Sequence, residues 1–305
     1  MLLDSASLYF RGFYGVPDTV RAPDGTPVNA VRGFLDIIAK LVTEYRPESL
    51  VACWDDDWRP RWRVELIPSY KAHRVAQLVP GGVDIEDVPP ELVAQVPIIR
   101  EVLAALGIAV VGAAEAEADD VIGTLATRAA GPVDVVTGDR DLFQLVDDAA
   151  DVRVVYTARG MSNLEVLTDA VVVGKYGIHA HQYADFAVMR GDTSDGLPGV
   201  AGIGEKTAAA LLAEYGDLAG IAAAAAEPDS ALKPAVRARF AAADEYLAVA
   251  PRVVEVLRDL PVAADDARLR VPTDEQRATL DALADRWGLG GSLDRALAAL
   301  GSASS

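Results

Sequence analysis

With 305 residues, 51% hydrophobic and 24% charged, the composition fits an ordinary soluble protein with one large domain or two smaller ones. The sequence has no apolar run near the roughly 20 residues a membrane span needs, no basic leader ahead of Asp4, and a single cysteine, Cys53. This excludes a membrane protein, a secretory signal, a disulfide framework and a cysteine-built zinc site, so a cytoplasmic location is expected. Lys and Arg number 28 against 46 Asp and Glu, a net charge of −18. That balance speaks against a nucleic-acid binder unless many acids gather around cations, since a bound divalent ion reverses the field a phosphate meets.

In chain order, short apolar runs predict strands at Leu2-Leu3, Leu50 to Trp54, Ile108 to Val111, Val133 to Val136 and Val152 to Val155. Helical spacing fills several gaps between them. Val31, Leu35, Ile38, Leu41 and Val42 share one face of a helix from Val28 to Tyr45, and a second helix runs from Glu91 to Leu106. Strands alternating with helices predict an α/β fold, a mostly parallel central sheet with helices on both faces. The stretch of about 56–90 breaks the rhythm. It carries Arg59, Arg61, Arg63, Lys71, His73 and Arg74, and reads as a functional insertion. From about Thr168 helices dominate. A glycine turn leads into an alanine-rich helix within Ala201 to Tyr215, Pro272 to Leu300 reads as helical with no assigned role, and Gly301 to Ser305 reads as a frayed tail.

The acids fall in a pattern. Asp4 and Asp55 each follow an apolar strand directly, and Asp139 and Asp141 follow Val135-Val136-Thr137-Gly138. Ligand sites in parallel sheets gather beyond the carboxyl ends of the strands, so three strands would deliver carboxylates to one rim. Glu117, Asp119 and Asp120 open the helix Val121 to Ala129, and Asp192 and Asp195 form a further pair. Nine converging carboxylates would repel one another unless hard divalent cations with oxygen ligands lie among them, and two such ions can activate a water and stabilise a leaving phosphodiester oxygen. Taken singly, each acid reads more readily as a helix cap or a solvated charge. The threefold repetition at strand ends favours the shared site. Cys53 reads as a packing residue. His179 and His181, two apart, are read as not sharing a face and as poor metal partners.

These segments resemble the 5′ nucleases, the flap endonucleases and the 5′–3′ exonuclease domain of bacterial DNA polymerase I. The resemblance is carried by Leu3-Asp4-Ser5-Ala6-Ser7, Trp54-Asp55, Tyr70-Lys71-Ala72-His73-Arg74, Glu117-Ala118-Asp119-Asp120-Val121-Ile122-Gly123, Thr137-Gly138-Asp139-Arg140-Asp141, Gly191-Asp192-Thr193-Ser194-Asp195 and Gly202-Ile203-Gly204-Glu205-Lys206-Thr207-Ala208, in order along residues 3 to about 260. It implies a PIN-like or resolvase-like catalytic domain over 1–167, with the insertion forming a helical arch. A helical DNA-binding region over 168–260 would follow, with a helix–three-turn–helix element at 190–216, and then an extension over 261–305. Asp4, Asp55, Glu117, Asp119 and Asp120 would form a first metal group, Asp139 and Asp141 bridging or second-site ligands, and Asp192 and Asp195 a second group. Magnesium or manganese would be the cofactor, two or more ions, with a monovalent cation, commonly potassium, at the glycine turn. Lys71 and Arg74 would join Asp4 and Asp55 in catalysis by drawing in the scissile phosphate. Phe10 and Arg11 would meet the single-stranded end. Gly202, Gly204, Lys206 and Thr207 would hold a duplex backbone phosphate without reading sequence. The implied substrates are DNA with 5′ flaps, ends or nicks, with RNA–DNA hybrids in addition. Three features depart from the family: Gly196 stands where many relatives carry Asn, Arg140 stands where Lys is common, and Asp56 and Asp57 add charge beside the site. No polymerase segment follows, which implies a stand-alone enzyme. Two other readings stay open: an aspartate-nucleophile phosphatase built on Asp55-Asp56-Asp57, and a DNA-junction binder without turnover.

Overall fold

In the computed structural model, residues 1–265 and 267–303 are described. The chain begins with β1 (Leu2–Asp4), α1 (Ser5–Gly15), α2 (Asn29–Tyr45) and β2 (Val51–Cys53). The insertion follows as α3 (Arg61–Leu66) and a ribbon of β3 (Val75–Gln77) and β4 (Ile85–Glu86). Then come α4 (Pro90–Val93), α5 (Val96–Ala105), β5 (Ala109–Val111), α6 (Ala118–Arg128), β6 (Val133–Thr137), β7 (Val152–Tyr156) and β8 (Glu165–Leu167). The main sheet runs β5-β2-β1-β6-β7-β8, parallel except for β8. Successive strand residues face opposite sides. Leu2, Val51, Cys53, Val135 and Val154 accordingly enter one core layer, while Leu3, Ala52, Val136 and Val155 enter the other. Both faces are covered, which is why these strands read as continuous apolar runs.

The α1–α2 contact holds the first strand's exit in place. Gly12 and Gly33 meet backbone to backbone: a Cβ on Gly33 would lie 2.5 Å from Gly12 Cα. Any side chain at either position would push α1, and with it the residues after Asp4, off the sheet.

Three expectations are revised. The insertion is not a helical arch. Its basic stretch lies on a short helix, a single 3-10 turn over Ala72–Arg74 and the β3–β4 ribbon. The helix expected over 91–106 is two pieces, because Pro97 removes an amide donor and starts α5 afresh. β8 lacks an apolar run and was not expected; it forms by antiparallel pairing with Val154, Val155 and Tyr156.

The helical region comprises α7 (Asp169–Tyr176), α8 (Tyr183–Arg190), α9 (Glu205–Tyr215), α10 (Leu218–Ala226), α11 (Pro234–Ala242), α12 (Asp244–Leu247) and α13 (Ala250–Val254). No single helix among the described residues is long and apolar enough to cross a membrane, and α9 with α10 pass that test only as a pair bent by 85°. The chain then returns to the first domain. Leu50 N donates to Ala267 O at 2.9 Å and Leu269 N to Glu48 O at 2.9 Å. α14 (Asp274–Trp287) starts at Thr273, whose hydroxyl accepts from Gln276 N while the Gln276 side chain accepts from Thr273 N, a capping box. α15 (Gly290–Ala303) lies along α2, with Leu293, Ala296 and Leu300 buried and Arg295 Nε donating to Asp36 Oδ1 at 2.9 Å. Gly301 and Ser302 belong to this helix rather than to a frayed tail, while Ser304 and Ser305 lie outside the described residues. Replacing Leu293 with Ala is expected to lower stability by about 3 kcal/mol, read as a shifted chemical denaturation midpoint, because α2 cannot close over the gap.

Candidate metal centre

The carboxyl ends of β1, β2 and β6 and the start of α6 open onto one pocket of about 250 Å³. Its walls carry Asp4, Asp55, Glu117, Asp119 and Asp139 together with Lys71, Arg74, Ser7 and Phe10. Asp4 ends β1 and caps α1: Oδ1 accepts from Ser7 N at 3.1 Å and Oδ2 from Thr137 Oγ1 at 2.7 Å. Asp55 Oδ1 accepts from Ala118 N at 2.7 Å, tying the end of β2 to the start of α6. Asp139 Oδ1 accepts from Asp141 N at 2.9 Å, and Thr137 Oγ1 accepts from Asp139 N at 2.8 Å. Thr137 therefore links Asp4 to Asp139 with one hydroxyl.

Among the acids that line the pocket, Glu117 has the most side-chain partners. Its carboxylate accepts from Tyr70 Oη at 2.6 Å and Arg63 Nη1 at 3.2 Å, and pairs with the Lys71 ammonium. Asp120 does not line the pocket. Both its oxygens face Arg63, at 2.7 Å each, while Oδ1 also accepts from Leu257 N at 2.9 Å and Oδ2 from Glu117 N at 3.1 Å. Glu117 and Asp120 lie three apart at a helix start, as the sequence suggested, but Asp120 turns inward to anchor Arg63. Its expected role as a metal ligand is replaced by a structural one. Among the described residues no three His, Cys, Asp or Glu side chains are gathered into a ready ion cage. Glu117 is held by cations of the protein itself, and like charges keep the others apart.

The second acid group is set by the 191–204 loop. Asp192 accepts from Ser194 N at 2.8 Å and pairs with Arg190 at 3.0 Å. The loop clasps the insertion: Lys71 N donates to Asp195 O at 2.9 Å and Ser69 Oγ to Gly196 O at 2.8 Å. Gly196 has φ +70°, and a Cβ there would come within 2.1 Å of Ser69 O. The departure from Asn at this position is therefore a close-approach requirement of this chain.

Electrostatics bind the two groups into one field. Burial raises Asp55 to about 6, with Glu117 adding to the rise and Lys71 opposing it. Burial likewise raises Asp195 to about 6 against Lys71, with Glu117 and Asp139 pushing further. Asp4 is raised by burial and by Asp55 and Asp139, and Asp119 is held well above the carboxylate range by burial and by Asp4 and Asp139. Asp141 is raised by burial and by Asp139, Asp195 and Asp192, and its Oδ1 is buried without a hydrogen-bond partner. Burial opposes the Lys71 ammonium, but Glu117, Tyr70 and Asp195 together outweigh it and hold the group charged. An all-oxygen donor set, an orphaned carboxylate oxygen and acids pushed toward protonation fit hard divalent cations.

Other expected residues are placed as follows. Phe10 is partly buried on the pocket wall, its ring 6.4 Å from that of Tyr14. Arg11 is partly buried, with its Nη2 3.6 Å from where a Cβ on Gly138 would stand. Arg74 Nε donates to Glu86 Oε1 at 2.9 Å, so the ribbon supplies a carboxylate partner the sequence did not single out. Gly202, Gly204 and Lys206 are exposed at the start of α9, with Thr207 partly buried. Arg63, Tyr70 and Thr137 were not picked out as site residues. Tyr70 and Thr137 stood inside the quoted motifs, and Arg63 inside the basic insertion, so position alone could have flagged them. His179 and His181 stack at 5.6 Å on a short 3-10 turn, which places side by side two rings that helical spacing would separate. Asp57 accepts from Arg59 N and Asp56 pairs with Arg100, so the Asp55-Asp56-Asp57 run does not act as a unit in the pocket.

A resolvase-like sheet with an oxygen-donor pocket at its carboxyl edge, joined to a helical region through a glycine turn, is the architecture of a structure-selective nuclease. The 5′-3′ exonuclease N-terminal resolvase-like domain matches residues 1–177 and the 5′-3′ exonuclease C-terminal SAM fold residues 178–277. The chain therefore belongs to the 5′–3′ exonuclease family. It is 62% identical over 301 residues to a 5′-3′ exonuclease of Streptomyces coelicolor, covering 98% of this chain and 99% of that protein. It is 50% identical over 310 residues to a 5′-3′ exonuclease of Mycobacterium tuberculosis, covering 98% of this chain and 97% of that protein. The crystal structure of T5 D15 protein co-crystallised with metal ions shares the fold at a TM-score of 0.66 and 16% identity, over 100% of this chain and 99% of that one.

Two outcomes are expected. Asp120→Asn should lower stability by about 3–5 kcal/mol, with or without divalent ions, because the buried Arg63 loses its two-oxygen counter-charge and keeps only Glu117, which Lys71 also claims; urea denaturation checks this. The raised pKa values of Asp4, Asp55 and Asp195 make the folded state bind more protons than the unfolded chain between the ordinary carboxylate range and about 6 to 7. Stability in chelator should therefore fall as pH rises through that window. Divalent ions should raise the melting temperature at about pH 8 and have little effect at about pH 5.5, where protons hold the site.

Proposed function

We propose that the protein is a divalent-cation-dependent, structure-selective 5′ nuclease, acting as a 5′–3′ exonuclease and 5′-flap endonuclease on DNA during flap or primer removal. The observation that carries this reading is the single pocket shared by five strand-end and helix-start carboxylates and by Lys71 and Arg74. Asp4, Asp55, Glu117 and Asp119 would hold a first ion, Asp139 and Asp141 would bridge, and Asp192 and Asp195 would hold a second. Magnesium or manganese suits this donor set, and would supply an activated water and charge stabilisation for the leaving oxygen.

The chain's own groups do the rest. Lys71 and Arg74, placed on the insertion, draw the scissile phosphate toward the acids and steady its developing charge. Phe10 offers a ring to an unpaired base, and Arg11 a charge to the backbone beside it. The exposed turn at Gly202 and Gly204 and the start of α9, with Lys206 and Thr207, grip a duplex backbone phosphate through amides and charge. A potassium ion at that turn belongs to the same reading, as do RNA primers annealed to DNA as further substrates. Such contacts read shape rather than sequence, so ends, nicks and flaps are the targets.

The test is cleavage of labelled 5′-flap DNA with magnesium, with chelator, and with Asp139→Asn. Cleavage should require the ion and fall by about 10²–10³-fold in Asp139→Asn and in Lys71→Ala, while flap binding survives. Lys206→Ala should weaken binding alike for all sequences and reduce the salt slope by about 1. Binding with no cleavage under any divalent ion would leave only a junction-binding protein, and a trapped phosphoaspartate at Asp55 would revive the phosphatase.

A further inference from the structure

The acid pocket is not the roomiest space on the molecule. On the other side of the Arg63–Asp120 pair lies a cavity of about 690 Å³, lined by Trp62 and Gln144 and by His181, Arg252, Glu255 and Arg258. Its floor is rigid. Arg63 Nε donates to Val253 O at 3.1 Å, Leu257 N to Asp120 Oδ1 at 2.9 Å, and Val256 N to Gln144 Oε1 at 3.1 Å. One wall is an indole fixed at two points, with Trp62 Nε1 donating to Glu115 O at 3.1 Å and the Arg63 guanidinium 4.5 Å from the ring centre. The rim carries two guanidiniums. Arg258 is braced by the Gln144 carbonyl at 3.2 Å, and Arg252 is exposed and makes no ion pair among the described residues.

On a chain with net charge −18, a cavity that combines two arginines and an imidazole with an aromatic wall is a local reversal of the surface. Neither the metal pocket nor the glycine turn uses any of these side chains. We propose that this cavity is a second binding site, for a nucleoside 5′-monophosphate or the phosphorylated terminal nucleotide of a strand. The base stacks on Trp62, the phosphate is held by Arg252 and Arg258, and Glu255 accepts from a sugar hydroxyl or base amino group. The volume falls within the range of small-ligand sites. An occupant would touch the 252–258 segment, whose backbone also anchors Arg63 and Asp120, and so stiffen the support beneath Glu117.

The experiment uses the full chain in chelator, where no cleavage occurs, so it stands or falls separately from the nuclease reading. Deoxyadenosine 5′-monophosphate, deoxyadenosine, inorganic phosphate and a 5′-phosphorylated oligothymidylate are each titrated, with binding read by calorimetry and by tryptophan emission. Saturable binding of the mononucleotide or of the phosphorylated oligonucleotide, weakened about tenfold or more in Arg252→Gln and losing its emission change in Trp62→Phe, supports the site. Because Arg258 also braces the Gln144 carbonyl, Arg252→Gln is the deciding variant and Arg258→Lys the control that keeps the charge. Three results overturn the proposal: no saturable binding of either phosphorylated probe up to about 10 mM; binding unchanged in Arg252→Gln; or inorganic phosphate binding as tightly as the nucleotide.

Discussion

The contact on which the site depends is the buried guanidinium of Arg63, held between Asp120 and Glu117. A buried charge with one partner removed is severely destabilising, whereas a charge with all its donors matched can sit deep in a protein. Four of the five N–H donors of Arg63 have acceptors: two oxygens of Asp120, one of Glu117 and the Val253 carbonyl. Through this group the insertion, the start of α6 and α13 are locked together, and Asp120 ties in Leu257 just beyond α13. Tyr70 and Lys71 complete the cradle around Glu117 from the same insertion. The geometry of the acid rim is therefore imposed from beneath by a cation, before any ion is considered from above.

This arrangement also accounts for the adverse net charge. Burial, with repulsion from neighbouring acids, raises the pKa of Asp4, Asp55 and Asp119, and the cations nearest them, Lys71 and Arg74, are engaged by Glu117 and Glu86. The adverse charge of the pocket is thus met in part by cations of the protein itself. Lys71 and Arg74 face competing demands, a carboxylate of the protein or a phosphate of a substrate, and the balance depends on what else occupies Glu117.

Much of this was legible in the residues. The strand-end positions of Asp4, Asp55 and Asp139 could be read because a parallel sheet fixes which end carries chemistry, and the strands are short enough to count. The inward turn of Asp120 was not legible: spacing along a helix gives a face, but not which neighbour across 57 residues will claim the carboxylate. The ribbon in the insertion escaped because β3 and β4 are three and two residues long, too short to show alternation, and the exposed apolar residues around them, Leu78 and Val83 in the connection and Ile85 in β4, follow no strand period. The role of the 261–305 stretch escaped because its partner, α2, lies more than two hundred residues earlier, and an apolar helix face does not announce what it will cover.

The docking of α15 on α2 has a kinetic meaning. Asp36 is met by Ser292 and Arg295 across 256 and 259 residues of chain, and α2 in turn presses Gly33 against Gly12 of the helix that Asp4 caps. The loop closed by that contact spans most of the polypeptide, and contacts so distant in sequence slow folding although the entropy of closure rises only slowly with length. Without this docking, the α2 surface that Leu293, Ala296 and Leu300 pack on lies bare, and the helix that backs α1 loses part of its own packing. The acid rim thus draws, through α2, on packing between segments near the two ends of the chain.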